Sequence, residues 1–207
     1  VADSGSIGSN SALTGLTDIA GTLNLRDGAS ASISGNLEST GTLNVDSNSN
    51  NSGSGLSIAG TLTNIGNLGV GGAALTLPDT TTVGGLINSG GIGISGNTSA
   101  GNRGTLDITA PAGIGAPGLL TGSVSLGGDA LLEFASGQIT NIVGTLTIDG
   151  PQAFVADSGG TSSNSALTGL SDISGTLNLR DGASVSVSAS LESTGTLNVD
   201  VNSNNSG

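Results

Sequence analysis

The chain has 207 residues, a net charge of −12 and a hydrophobic fraction of 34%, with 38 glycines and no Cys, His, Trp or Tyr. Without His or Cys there is no His-assisted nucleophile, no thiol chemistry and no zinc site. Three arginines and two phenylalanines against 15 acidic residues give neither a basic patch nor a stacking platform for nucleic acid, and no apolar run is long enough to span a membrane.

Repetition organises the rest. Val1-Ala2-Asp3-Ser4-Gly5 returns as Val155-Ala156-Asp157-Ser158-Gly159, an offset of 155 − 1 = 154 residues. The match runs to Asn204-Asn205-Ser206-Gly207, and roughly ten of the aligned positions differ. Residues 1–154 therefore form one long unit, and 155–207 begin a near-identical second one. Inside the unit a shorter motif recurs, Gly-x-Leu-x-Leu. It starts at Gly21, Gly41, Gly60, Gly84, Gly104, Gly122, Gly144, Gly175 and Gly195. Each copy alternates polar with branched apolar residues, the pattern of a strand with one buried face. No 3.6-residue periodicity is present. A step of about 20 residues between such strands fits a parallel β-helix better than a leucine-rich repeat.

The expected fold is all-β: a right-handed parallel β-helix with coils of about 20 residues, seven or eight to the long unit. The motif predicts an inner column of Leu23, Leu43, Leu62, Leu86, Leu106, Val124, Leu146, Leu177 and Leu197. A second column beside it holds Leu25, Val45, Ile108, Ile148, Leu179 and Val199. Thr22, Thr42, Thr61, Thr105, Thr145, Thr176 and Thr196 form an outward ladder. Glycines at strand starts supply corners, through positive φ or close backbone approach.

The frame Leu-x-Asn/Ser-x-Gly-x-Leu/Ile-x-Val/Ile runs through Leu37–Val45, Leu62–Val70 and Leu86–Ile94. It resembles the repeats of filamentous-haemagglutinin-like adhesins and autotransporter passenger regions. The resemblance implies a secreted or surface-displayed bacterial fibre, an adhesin stalk or extracellular filament in which repeats stack on further copies of themselves. Those copies lie in the same chain or in other subunits, and a host or matrix surface is the candidate partner.

Few residues offer other chemistry. Asp46, Asn48 and Asn50 place oxygen donors at alternate positions, and Asp200, Asn202 and Asn204 repeat them, a pattern like the first half of a calcium loop. No closing Glu follows, and the same residues suit a polar turn. Arg26-Asp27 and Arg180-Asp181 read as turn ion pairs. Thr61/Thr63 and Thr145/Thr147 suggest an ice-ordering face, interrupted by Asn24, Asn44 and Asp107. A ligand-binding solenoid for carbohydrate, calcium or ice is thus the alternative to a structural rod. An enzyme lacks the usual parts: Lys, Trp and Tyr are missing around the acids. No cofactor is expected beyond calcium.

Overall fold

A computed structural model describes residues 1–4, 10–47, 53–99 and 101–200. Among them there is no α-helix; apart from two short 3₁₀ turns, Ser11–Leu13 and Ser165–Leu167, the regular structure is all strand. The strands form three sheets of eight, four and eight members, and every strand pair is parallel.

Sheet 1 holds Asp18–Ile19, Ser30–Ile33, Leu37–Ser39, Gly55–Asn64, Asp79–Asn88, Gly104–Pro111, Ala130–Ser136 and Ala153–Asp157. Sheet 2 is short: Leu119–Leu120, Asn141–Ile142, Asp172–Ile173 and Glu192–Ser193. Sheet 3 is the most regular: Thr22–Leu25, Thr42–Val45, Asn67–Val70, Gly91–Ser95, Ser123–Gly127, Thr145–Asp149, Thr176–Arg180 and Thr196–Val199. From Gly104 to Arg180 the chain visits sheets 1, 2 and 3 in turn and comes back beside its own earlier strand. The ladder between the long strands Gly55–Asn64 and Asp79–Asn88 shifts register between Ile58 and Thr61, and Gly55–Asn64 pairs with Ser30–Ile33 before the break and with Leu37–Ser39 after it.

Register shows which residues stack. In sheet 3 one inward column runs Leu23, Leu43, Leu68, Ile92, Val124, Leu146, Leu177, Leu197. The second runs Leu25, Val45, Val70, Ile94, Leu126, Ile148, Leu179, Val199. Four residues assigned to these columns from the motif belong elsewhere. Leu62 stacks between Leu37 and Leu86, itself one of the four, Leu106 between Thr81 and Leu132, and Ile108 between Val83 and Phe134, all in sheet 1. The physical reason is that every sheet has one inward face, so Gly-x-Leu-x-Leu serves equally well on any of them. The step between sheet-3 neighbours is consequently not a uniform 20 residues. It ranges from 42 − 22 = 20 to 123 − 91 = 32. Between Thr22 and its equivalent Thr176 lie six such steps, fewer than the seven or eight anticipated.

Leu25, Leu43, Val45, Leu62, Leu106, Ile108, Leu146, Ile148, Leu177 and Leu179 are buried in one continuous core, while Leu23 is only partly covered and packs against it. Leu197 and Val199 depart from the expected interior: they are 43% and 56% exposed. They hold the same register as Leu177 and Leu179, but no described strand lies on their far side.

The glycine that opens the motif is needed for contact. A Cβ on Gly41 would overlap the carbonyl oxygens of Gly21 and Ala20, and Gly66, Gly90, Gly144, Gly175 and Gly195 meet preceding carbonyls in the same way. None of these six has positive φ. The backbones approach so closely at this corner that no side chain fits.

Candidate functional site

The two copies of the repeated segment build one local structure twice. Asn10 and Asn164 each precede a 3₁₀ turn and reach a later strand or loop: Asn10 Nδ2 donates to the Ser30 carbonyl at 2.6 Å, Asn164 Nδ2 to that of Ser184 at 2.8 Å. The amides of Asp3 and Asp157 donate to Ser11 Oγ and Ser165 Oγ. Shallow grooves at equivalent places are lined by Asn10, Ser11, Thr14 and Ser30 in one copy and by Asn164, Ser165, Thr168 and Ser184 in the other.

What differs is cover. In the second copy Ala166, Leu167 and Leu170 are fully buried, and the Ile139 amide donates to the Ala166 carbonyl at 2.8 Å. Their counterparts Ala12, Leu13 and Leu16 are exposed or half-buried. The reverse holds further along. Leu37, Leu43 and Val45 are buried beneath later strands, while Leu191, Leu197 and Val199 lie open. Ser30–Ile33 pairs with Gly55–Ile58, whereas residues 184–187 form no strand.

Acidic side chains gather where sheet 3 hands over to sheet 1. Asp27, Asp46, Asp181 and Asp200 all take left-handed φ of 49° to 58°, which aspartate tolerates better than most residues. These turns are where ion pairs with Arg26 and Arg180 were anticipated; among the described residues the ion pair is instead Arg103 Nε to Asp129 Oδ1, at 2.6 Å. Arg103 also donates to the Thr161 carbonyl and lies 5.9 Å over the ring of Phe154, tying separate turns together.

Asp46 points inward. It is 1% exposed and its Oδ1 accepts the Asp27 amide at 3.1 Å. Beside it is Asp79, fully buried, whose Oδ1 accepts the amides of Gly53 and Ser54 at 2.7 and 2.8 Å. Burial, reinforced by the charge of Asp46, pushes the Asp79 carboxyl up to about 6 against the pull of those two amides. Burial likewise raises Asp149, helped by Asp181 and opposed by Arg180. It raises Glu133 too, with Asp107 adding and Arg103 opposing.

Of the six residues expected to form calcium loops, Asp46 and Asp200 are described; Asn48, Asn50, Asn202 and Asn204 lie outside the described residues. Asp46 sits against Asp79, a residue outside the Gly-x-Leu-x-Leu motif. Counting alternation back from buried Val83 through Thr81 would have placed Asp79 on the inward side. No group of three or more acidic, His or Cys side chains is arranged for a metal among the described residues, and no helix there is long and apolar enough to cross a membrane.

Outward on sheet 3, Asn44 donates to Asn24 at 2.9 Å and Asn198 to Asn178 at 2.8 Å, so side-chain amides ladder along the stack. Gly69, Gly91 and Gly93 interrupt this face in the middle strands. Comparison with protein-family models, with curated proteins and with solved structures finds no match for the chain.

Proposed function

We propose that this chain is a structural rod segment, a right-handed parallel β-helix whose product is length and stiffness. Its setting on this reading is a secreted or surface-displayed repetitive bacterial protein, an adhesin stalk or filament. The observation that carries the reading is the reciprocal cover of the two repeat copies. The same segment is packed on one side in one copy and on the other side in the second. Taken together, both sides of the segment are packing surfaces, built to lie between other turns. A solitary binding module needs only one set of turns.

Parallel pairing in all three sheets and the return of the chain beside its own earlier strand support the winding. Right-handedness follows from the strong preference of parallel crossovers. Buried Leu, Ile and Val columns stabilise each turn, every interior side chain contributing about 1.5–3 kcal/mol. The acidic surface keeps rods apart in solution.

Lengthening tests this directly. A chain carrying one additional complete unit adds six turns, or about 29 Å of rod at the spacing of paired strands. Small-angle scattering should show a longer particle of unchanged cross-section. A particle that grows in all dimensions rules the rod out.

A further inference from the structure

Two strands of sheet 3 are paired on one side only among the described residues. Thr22–Leu25 pairs with the later Thr42–Val45, and Thr196–Val199 with the earlier Thr176–Arg180. All pairs between them are parallel, so the two edges run in the same direction and face opposite ways along one stack. Apolar side chains are open at both. Leu197 and Val199 are 43% and 56% exposed, and Leu23 is only partly covered. A strand edge of this kind is a template for further pairing.

The edges carry the two halves of contacts that the molecule makes elsewhere in joined form. Gly21 has no positive φ, and a Cβ on it would meet nothing, so no described contact requires glycine there. Its repeat counterpart Gly175 rests against the carbonyl oxygens of Val143 and Gly144 in the preceding turn. Thr194 and Gly195 hold that carbonyl position at the opposite edge. Their counterparts Thr40 and Gly41 receive Gly66 there, and the Gly41 carbonyl accepts the Asn67 amide at 2.9 Å. Side-chain amides follow the same rule. Asn44 donates to Asn24 Oδ1, and Asn198 donates to Asn178 Oδ1, so the ladder ends on the Asn24 amide at one edge and the Asn198 oxygen at the other. Charge is complementary as well. Arg180 is the register partner of Asp149 in the turn before it. Its counterpart Arg26 is exposed at one edge, and Asp200, next after Val199, is exposed at the other.

We propose that the chain binds a second copy of itself head to tail, Thr22–Leu25 of one copy adding in parallel to Thr196–Val199 of the other. In that register Leu23 covers Leu197, and Leu25 covers Val199. Gly21 rests on the carbonyls of Thr194 and Gly195, Asn24 donates to Asn198, and Arg26 stands over Asp200. One pairing opposes the joint, since Asp18 falls on Glu192. The fold already holds such like-charged neighbours, in Asp18 beside Glu38 and Asp172 beside Glu192. The contact joins unlike surfaces, so it does not close on itself and extends into a filament. This joint rests on the rod reading, because only stacked turns leave two such ends, and it adds to that reading a partner and a register.

The test follows the full chain by sedimentation velocity and small-angle scattering over a concentration series. Mass should rise by whole copies at unchanged cross-section. Each copy should add about 38 Å, eight sheet-3 strands at the spacing of paired strands. Gly21→Ala should weaken association about tenfold, through overlap with the carbonyls of the other copy, while the dilute chain keeps its melting temperature. Leu197→Lys should weaken it likewise. Asp200→Arg and Arg26→Asp should each weaken association several-fold alone, and a one-to-one mixture should recover it, because the altered tail then meets the altered head. A wild-type chain that stays single at every concentration overturns the joint; if that single particle is still elongated, the rod reading stands. Growth in cross-section overturns the head-to-tail register. So does association that Gly21→Ala leaves unchanged, or a mixture that recovers nothing.

Discussion

Leu43 and Leu197 occupy one repeat position, share one register column and have the same immediate neighbours in sequence, yet one is fully buried and the other 43% exposed. Truncation should separate them. Leu43→Ala removes a side chain from a closed core and should cost about 2–5 kcal/mol, while Leu197→Ala should cost well under 1 kcal/mol. Urea denaturation of the two variants measures both. Equal losses would mean that cover by later turns does not set the energetics. The same contrast applies to aspartates of one repeat position, since Asp46 is buried and Asp200 is exposed. Single-residue roles were therefore only half legible. Leu43 was readable as inward from its alternation with Thr42 and Asn44. That Leu197 would be open was not, because exposure depends on what lies beyond it. Asp79 was hidden beside Thr80, Thr81 and Thr82, where its even spacing from Val83 is the one mark of inward parity.

At the level of strands, the motif specified conformation without specifying place. Its alternation made every copy a strand, but Leu62 and Leu106 joined sheet 1 while Leu43 and Leu146 joined sheet 3. Position is settled by the corners, and the glycine opening each sheet-3 strand marks one. Gly21 and Gly41 make a clean comparison. A Cβ on Gly21 meets nothing, whereas one on Gly41 overlaps the carbonyl oxygens of Gly21 and Ala20. Gly41→Ala should destabilise by about 1–3 kcal/mol through overpacking against backbone that cannot yield. Gly21→Ala should be close to neutral, and thermal melts of the two variants should differ accordingly. Similar melting temperatures would show that the close approach relaxes without cost. The long repeat, in contrast, was fully legible, since near-identity over the matched residues needs no geometry to be seen.

For the molecule as a whole, charge and length dominate. Glu133 and Asp149 have folded pKa values above their ordinary 4.5 and 3.8, because burial and neighbouring acids disfavour the charged forms. A raised carboxyl binds its proton more tightly folded than unfolded. Its destabilising contribution is full above the raised value. It fades as pH falls through that value to the ordinary one, and no further gain follows below. Asp149→Asn should therefore raise the melting temperature near neutral pH, and the advantage should vanish once the solution is acid enough to protonate Asp149. A constant advantage across that range would exclude linkage to proton binding.

Ser30–Ile33 is a strand, and the equivalent residues 184–187 are not, although both have alternating small polar and apolar residues. In kinetic terms this makes each turn a template for its neighbour. That segment is a strand where a later turn is laid against it, in contrast to Thr196–Val199, which is a strand paired on its earlier side. Folding would then begin at a costly first pair of turns and advance along the axis, each added turn gaining its hydrogen bonds and its core contacts together. Such a chain can emerge gradually and order itself from the leading end without waiting for the rest.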